Sequence, residues 1–368
     1  MRIIDRQIGS SVLLTMVFGL AVLSFVLVLG NVIKELLDLM VNKNLPLGSV
    51  LLFMLLVLPF SLTFTIPWTF LTALLMVFGR MSADNELLVL RSSGVSLLRL
   101  CAPVFVLALG LSGICLWINA ELAPRAEDKM LSMVSDLAMS DPMALLTPDE
   151  VIDTFPNHRI YIGAKQEGKL KDIIIFEMDG EGVPTRRVVA KEASISVEPQ
   201  KAGLLLRLYH ARFEDRDESD PTNVTKFRPG LVVAEGAYRL SADKLFGATK
   251  HTKSRRGYPL SEFAKYMADG AGGEPLKAKV EYQRRFSLAL ACVTFALVGV
   301  PLGITAHRKE TSVGFGIGIA VALAYYSFIL FAQVFAGNPQ VHPVFAMWLS
   351  NILFGVFGTV LFIRLARQ

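Results

Sequence analysis

The chain of 368 residues is 53% hydrophobic and only 19% charged, a balance more apolar than a soluble domain needs to fill its core, which argues against a water-soluble enzyme. The formal net charge of +5 is carried by dispersed Lys and Arg and not by a dense basic stripe, so nucleic acid is not an expected partner and membrane orientation accounts for many of the basic residues. The three cysteines, Cys101, Cys115 and Cys292, fall in or beside apolar runs, which implies neither a disulfide framework nor a cysteine metal site.

The first apolar run, residues 9–33, follows a basic start. It is longer than a signal-peptide core and no A-x-A-like cleavage site follows it, so it reads as a membrane helix. The second run, residues 50–78, is long enough to tilt, and Pro59 and Pro67 predict a kink because each removes a helical hydrogen bond. Between it and the third run, residues 98–118, lies a polar segment, residues 79–96. Ser82 with Asn85 and Glu86 after it gives a helix start with an acidic first turn, and Gly94 a natural stop. A short amphipathic helix is therefore expected over residues 81–93, with Leu87 and Leu90 on one face and Glu86 and Arg91 projecting elsewhere. Such a helix either lies on the bilayer surface or acts as a lever for a soluble partner, with Glu86 free to pair with an Arg across the interface.

Residues 119–285 are polar and β-textured after a helix-prone stretch at 120–139. Alternation appears over 158–164, 171–178, 187–197, 203–213 and 231–240, which suggests an antiparallel sandwich, jelly roll or open barrel. Ile160, Ile162, Ile195, Val197, Leu204, Leu206 and Leu208 would face one core. The stretch 163–169, Gly-Ala-Lys-Gln-Glu-Gly-Lys, matches the start of a phosphate-binding loop, but Leu170 stands where the magnesium-binding hydroxyl belongs and no helix follows, so a hairpin is expected. Gly270 to Gly273 with Pro275 reads as a flexible linker.

Three more apolar runs follow, at 286–306, 313–336 and 344–363, which makes six spans arranged three and three. Gly314 and Gly318 in the fifth give small-residue spacing for close helix contact, as do Gly299 and Gly303 in the fourth. The five histidines are scattered without ligand-like spacing, and no catalytic or cofactor motif stands out. The Lys and Arg distribution orients the chain. With the N-terminus inside, the cytoplasmic segments hold Arg2, Arg6, Arg80, Arg91, Arg99, Arg308, Lys309, Arg364 and Arg367, whereas the short outer loops hold only Lys34 and Lys43. Both termini are then cytoplasmic, and residues 119–285 form an outside domain between membrane parts at 1–118 and 286–368.

The segment 79–96, the start Arg2-Ile-Ile-Asp-Arg6, the stretch Val298-Gly-Val-Pro-Leu-Gly303 and the layout of three spans, β-domain and three spans together resemble the LptF/LptG (YjgP/YjgQ) permease subunits of the bacterial lipopolysaccharide exporter. The resemblance covers essentially the whole chain and does not separate the two subunit types. It implies an α-helical inner-membrane protein with six transmembrane helices and an inserted periplasmic β-jellyroll. It also implies a heterodimer with a second such permease, standing on a cytoplasmic ABC ATPase dimer and extracting lipopolysaccharide from the outer leaflet. The chain itself would be non-catalytic and need no cofactor. ATP would act on the short cytoplasmic helix through Glu86, substrate would enter between the first span of one subunit and the fifth of the other, and the jellyroll would continue into a periplasmic bridge protein of similar domains.

Each role has an ordinary counterpart. Lys34 at headgroup height can meet a lipid A phosphate or be a snorkelling anchor, and the family's basic cluster is reduced here to Lys34 and Lys43 with Glu35 and Asp38 between them. Gly314 and Gly318 can form an interface that opens or a static contact. The seven apolar β residues can receive acyl chains or fill a core. Rival readings of the whole are an ABC-type mechanotransmission subunit, which has four spans, and a membrane-anchored periplasmic enzyme or scaffold.

Overall fold

The computed structural model describes residues 2–41, 47–140, 148–149, 151–152, 155, 157–166, 168–179, 183–198, 203–216, 227–241, 254–305 and 311–367. The chain divides into two units, one of Met1–Leu36, Pro46–Asp128 and Lys253–Gln368, the other of Leu37–Leu45 and Lys129–Thr252.

The first unit is helical. Helix α1 is Arg2–Val41, α2 Leu47–Ala83, α3 Glu86–Ser92 and α4 Leu97–Trp117, which passes through a π turn at Ile118–Leu122 into α5, Ala123–Ser140. After the β strands come α6 (Leu260–Ala268), α7 (Pro275–Thr305), α8 (Thr311–Val334) and α9 (Pro343–Arg367). Among the described residues six helices are long and apolar enough to cross a membrane. Helices suit that solvent because they satisfy every backbone polar group internally. Large apolar side chains such as Leu14, Phe18, Leu109 and Val360 lie exposed on them, as a surface facing lipid requires.

Helix α7 is the hub: 72% of its apolar window is buried, against 11% to 33% for the other five. One side, with Ala289, Cys292, Ala296 and Val300, joins the core of α2 and α4; the other, with Leu288, Ala291 and Phe295, joins that of α8 and α9. Glycines set the closest approaches. A Cβ on Gly299 would stand 3.0 Å from Leu71, one on Gly303 3.0 Å from Phe78, and one on Gly358 of α9 2.7 Å from the Leu297 carbonyl carbon. A buried polar network joins α7 to α8 and α9. Asn351 accepts from Thr294 at 2.8 Å and Tyr325 at 2.9 Å, and donates to the Ser287 hydroxyl at 2.8 Å.

Helix α2 runs on through Pro59 and Pro67. Hydroxyls of the same helix are bonded within it. Thr63 donates to the Pro59 carbonyl, Thr65 to that of Ser61 at 2.6 Å and Thr69 to that of Thr65 at 2.7 Å. Such bonds help a membrane helix tolerate proline.

Helix α7, which carries the fourth apolar run, begins at Pro275, a residue pre-organised for a first helical position. One expectation is corrected in this unit: the stretch from Gly270 to Gly273 is not a plain flexible linker. It is a tight turn with Gly270, Gly272 and Gly273 at positive φ, and it buries Ala271 against Phe263 of α6 and Ala278 of α7.

Among its described residues the second unit carries an antiparallel sheet of six strands in sequence order: β1 (Val151–Ile152), β2 (His158–Gln166), β3 (Lys169–Met178), β4 (Pro184–Glu198), β5 (Gly203–Arg216) and β6 (Phe227–Ser241). It curls into a jellyroll-like half-barrel. The 163–169 stretch is a hairpin, with Gln166 paired to Lys169 and Gly168 at φ 73. The inward-facing set does not alternate uniformly. On β3, β4 and β5 buried residues step by three at one level, from Leu170 to Ile173, from Ala190 to Ala193 and from Leu208 to Ala211. Pairing keeps the same register on both sides of that level, as Lys171 with Glu192 and Ile173 with Ala190 show. The phase reversal is made by backbone: Asp172 and His210 at that level both have φ 52. The sheet thus has a transverse crease across which the facing of its side chains inverts.

Candidate functional site

The segment after α2 differs from the expected helix over residues 81–93. Helix α2 continues to Ala83, and α3 begins only at Glu86 after Asn85, which sits at φ 58. The Ser82 hydroxyl does not cap α3; it donates to the Ile304 carbonyl at 2.8 Å and ties the end of α2 to the last turn of α7. The other end matches the expected stop. Gly94 at φ 86 donates to Arg91 at 2.9 Å, and Val95 donates to Leu90 at 3.2 Å, the pair of bonds that defines a Schellman cap.

Helix α3 is thereby a short helix that follows the tied end of α2 and closes on a Schellman cap. Leu87 is 5% exposed and sits in the core with Val77, Met81 and Leu97, and Leu90 and Val95 pack against that core. Glu86 is exposed and Arg91 half-buried. Beside Glu86 the sequence reading overlooked Leu88 and Val89, which are 66% and 62% exposed. Their signal was present: three apolar residues in a row cannot share one helix face, so Leu87 inward forces Leu88 outward. Residues of α1, α2 and α3 line a groove of about 370 Å³, among them Gln7, Arg80, Asp84, Glu86 and Val89.

Gly314 and Gly318 of α8 both face α2 of the same chain. A Cβ on Gly318 would meet Leu75 Cδ1 and Thr72 Oγ1 at 3.3 Å, and one on Gly314 the Leu75 backbone at 3.8 Å. Lys34 lies in α1 with its side chain outside the described residues, and Lys43 lies outside them altogether.

Inside the sheet, Ile160, Ile162, Leu204, Leu206 and Leu208 are buried in one apolar cluster, and Ile195 packs against it. Val197 pairs with Leu204 through its backbone, its side chain being outside the described residues. The cluster also holds Leu170, Ile173, Ile175, Val188 and Leu240, which the sequence reading had not singled out. A polar group is set among them: the Tyr238 hydroxyl donates to Glu177 at 2.5 Å and lies 3.1 Å from His158 Nε2. Burial and the Glu177 bond push that phenol well above its ordinary pKa, so it stays a neutral donor. Among the described residues the interior is therefore a packed apolar cluster with the bond from Tyr238 to Glu177 beside it.

A comparison with curated proteins finds no match. A comparison with protein families matches residues 6–364 to the lipopolysaccharide export system permease LptF/LptG, a match that takes in the membrane helices and the β strands together. With six helices among the described residues long and apolar enough to cross a membrane, three before and three after a jellyroll-like insert in the sequence, the chain belongs to the LptF/LptG family, the multi-pass inner-membrane permease component of the lipopolysaccharide export system.

Proposed function

We propose that this chain is one permease half of an ATP-driven exporter that draws lipopolysaccharide from the outer leaflet of the inner membrane and passes it to a periplasmic jellyroll bridge. The observation that carries the coupling part is the construction of α3: Leu87 seats it in the transmembrane core, while Glu86, Leu88 and Val89 stand exposed, with Val89 one turn on from Glu86. A carboxylate with an apolar neighbour suits a soluble partner offering an apolar slot and an Arg. That partner is a cytoplasmic ABC ATPase dimer, which hydrolyses the ATP; the present chain is non-catalytic. A second LptF/LptG-type permease completes the membrane part.

In this reading both termini are cytoplasmic, residues 119–285 lie in the periplasm, and a push on α3 reaches α7 through Leu87 and the Ser82 bond to Ile304. Arg91, Leu87 and Leu90 set the pose of α3. Lys34 and Lys43 act at the headgroup level, Gly314 and Gly318 let α8 shift on α2, and the apolar interior from Ile160 to Leu208 parts to take acyl chains. Purification of the tagged chain from native membranes in mild detergent tests the assignment, with wild type beside Glu86→Arg and mass spectrometry of what co-purifies. Wild type is expected to bring a six-span partner and an ATPase, and Glu86→Arg to lose the ATPase alone. Retention of the ATPase and normal lipopolysaccharide export by Glu86→Arg would sink the coupling role.

A further inference from the structure

Among the described residues, the most heavily charged buried spot in the helical unit lies away from α3, where α2, the π turn, α5 and α7 meet the segment that precedes α6. Glu281, Arg284 and Arg285 of α7 are 6%, 8% and 1% exposed. Arg284 donates twice to Glu281, at 2.9 and 2.7 Å, and Arg285 Nε lies 3.6 Å from the same carboxylate. The other nitrogens of Arg285 point at backbone: Nη1 donates to the Tyr258 carbonyl at 2.8 Å and Nη2 to that of Arg256 at 3.1 Å. Its guanidinium also covers the ring of Phe263 at 4.9 Å. One planar fork thus grips two carbonyls and a ring of the connector, residues 254–274, along which the chain comes back from the last β strand.

The outgoing chain is gathered at the same spot. Glu127 of α5 and Asn119 of the π turn line one small pocket with Arg256, Glu281, Arg284 and Arg285. Gly257 of the connector approaches α5 so closely that a Cβ there would stand 3.5 Å from Asp128. A second tie holds the connector's other end, where Arg255 bonds Glu274 at 2.8 Å. Lys277 and Arg255 keep that carboxyl below its usual range.

Buried ion pairs are poor sources of stability, since well-packed apolar residues of equal volume often do as well or better. What this arrangement supplies is direction: an Arg fork fixes the position and orientation of the backbone it holds. We propose that Glu281 and Arg285 are positioning residues for transport, a clamp that makes the chain stretches leading to and from the β strands move with α7 as one body. Glu281 orients Arg285, and Arg285 holds the connector. Because α7 is also the helix that Ser82 ties to the coupling segment, a displacement begun at α3 is delivered to the β-bearing part of the chain and not dissipated in a slack linker. The inference rests on the exporter reading above.

The test uses the transporter assembled with its partners in lipopolysaccharide-containing proteoliposomes. Arg285→Lys keeps the charge beside Glu281 but loses the two-carbonyl fork, and Arg285→Met removes both. With the clamp open, amide exchange over residues 254–273 rises and lipid release falls about tenfold while ATP hydrolysis stays within about twofold of wild type. Adding Arg255→Cys and Glu274→Cys to Arg285→Lys and closing them with a short bifunctional thiol reagent restores release, since the native cysteines are buried. Unchanged exchange or unchanged release in Arg285→Lys overturns the clamp, as does hydrolysis falling in the same proportion as release, the mark of a merely structural role. Wild type that hydrolyses ATP without releasing lipid would instead overturn the exporter reading, and the exchange comparison would still decide whether the connector is clamped.

Discussion

At Gly358 the backbone of α9 comes so near α7 that a methyl group would have to stand 2.7 Å from the Leu297 carbonyl carbon and 2.8 Å from its oxygen. Backbone cannot swing aside as a side-chain end can, so Gly358→Ala must part the two helices. The expected cost is about 1–3 kcal/mol, the range for overpacking. Gly355, on the same helix, has nothing within 4 Å of its would-be Cβ, and Gly355→Ala is expected to leave stability unchanged or slightly raised. Thermal unfolding of the two variants in one detergent decides the matter, and equal midpoints would refute it. Small-residue spacing at Gly314 and Gly318 was legible in sequence as a close contact. Its partner on α2 was not, because spacing along one helix carries no information about which other helix it meets. Charged residues show the same limit. Glu86 stands out in the sequence because a carboxylate in a short polar loop is conspicuous, and the coupling role given to it is a proposal. Glu281 and Arg285 do not stand out, because on paper they read as the polar lead-in to a span, and only packing shows that they are buried.

At the scale of elements, helices proved easier to place than their ends. Residues 81–93 read as one helix because Ser82 looks like a cap, yet the hydroxyl found a partner in α7, far away in sequence. The strands were legible from alternation, but the crease was not, since an inversion of phase looks in sequence like a lapse in pattern. Gly203 to Phe213 read as one alternating strand with Leu204, Leu206 and Leu208 inward; past the crease the inward residue is Ala211. The crease also makes a prediction. Asp172 and His210 hold φ 52, a conformation that Asp, Asn and His tolerate but β-branched residues resist. Asp172→Val or His210→Val is therefore expected to destabilise the sheet by about 1–3 kcal/mol, and His210→Asn to be nearly neutral. Chemical unfolding of the full-length protein, followed by circular dichroism in the β region, measures this. A Val variant as stable as wild type would mean that the phase reversal survives without the strained conformers.

For the whole molecule, span number was legible because a bilayer fixes the length an apolar helix needs, and six such helices are present among the described residues. Which helix forms the centre was not, since α7 and its neighbours have similar composition and differ in what packs around them. Orientation rests on a different physical cue, the resistance of Lys and Arg to translocation, and it makes the last prediction. The native cysteines at 101, 115 and 292 are all buried, so a water-soluble, membrane-impermeant maleimide should find little background. Glu235 on β6 and Ser93 after α3 are exposed positions. In cells whose outer membrane alone has been opened, Glu235→Cys is expected to label fully, and Ser93→Cys only after the inner membrane is opened too. The pair matters more than either residue, because the exporter reading needs opposite sides: an ATPase must reach α3 while a periplasmic bridge reaches the sheet. Labelling of both positions from outside would put α3 where no cytoplasmic ATPase can push it, and coupling through Glu86 would fall even with family membership intact.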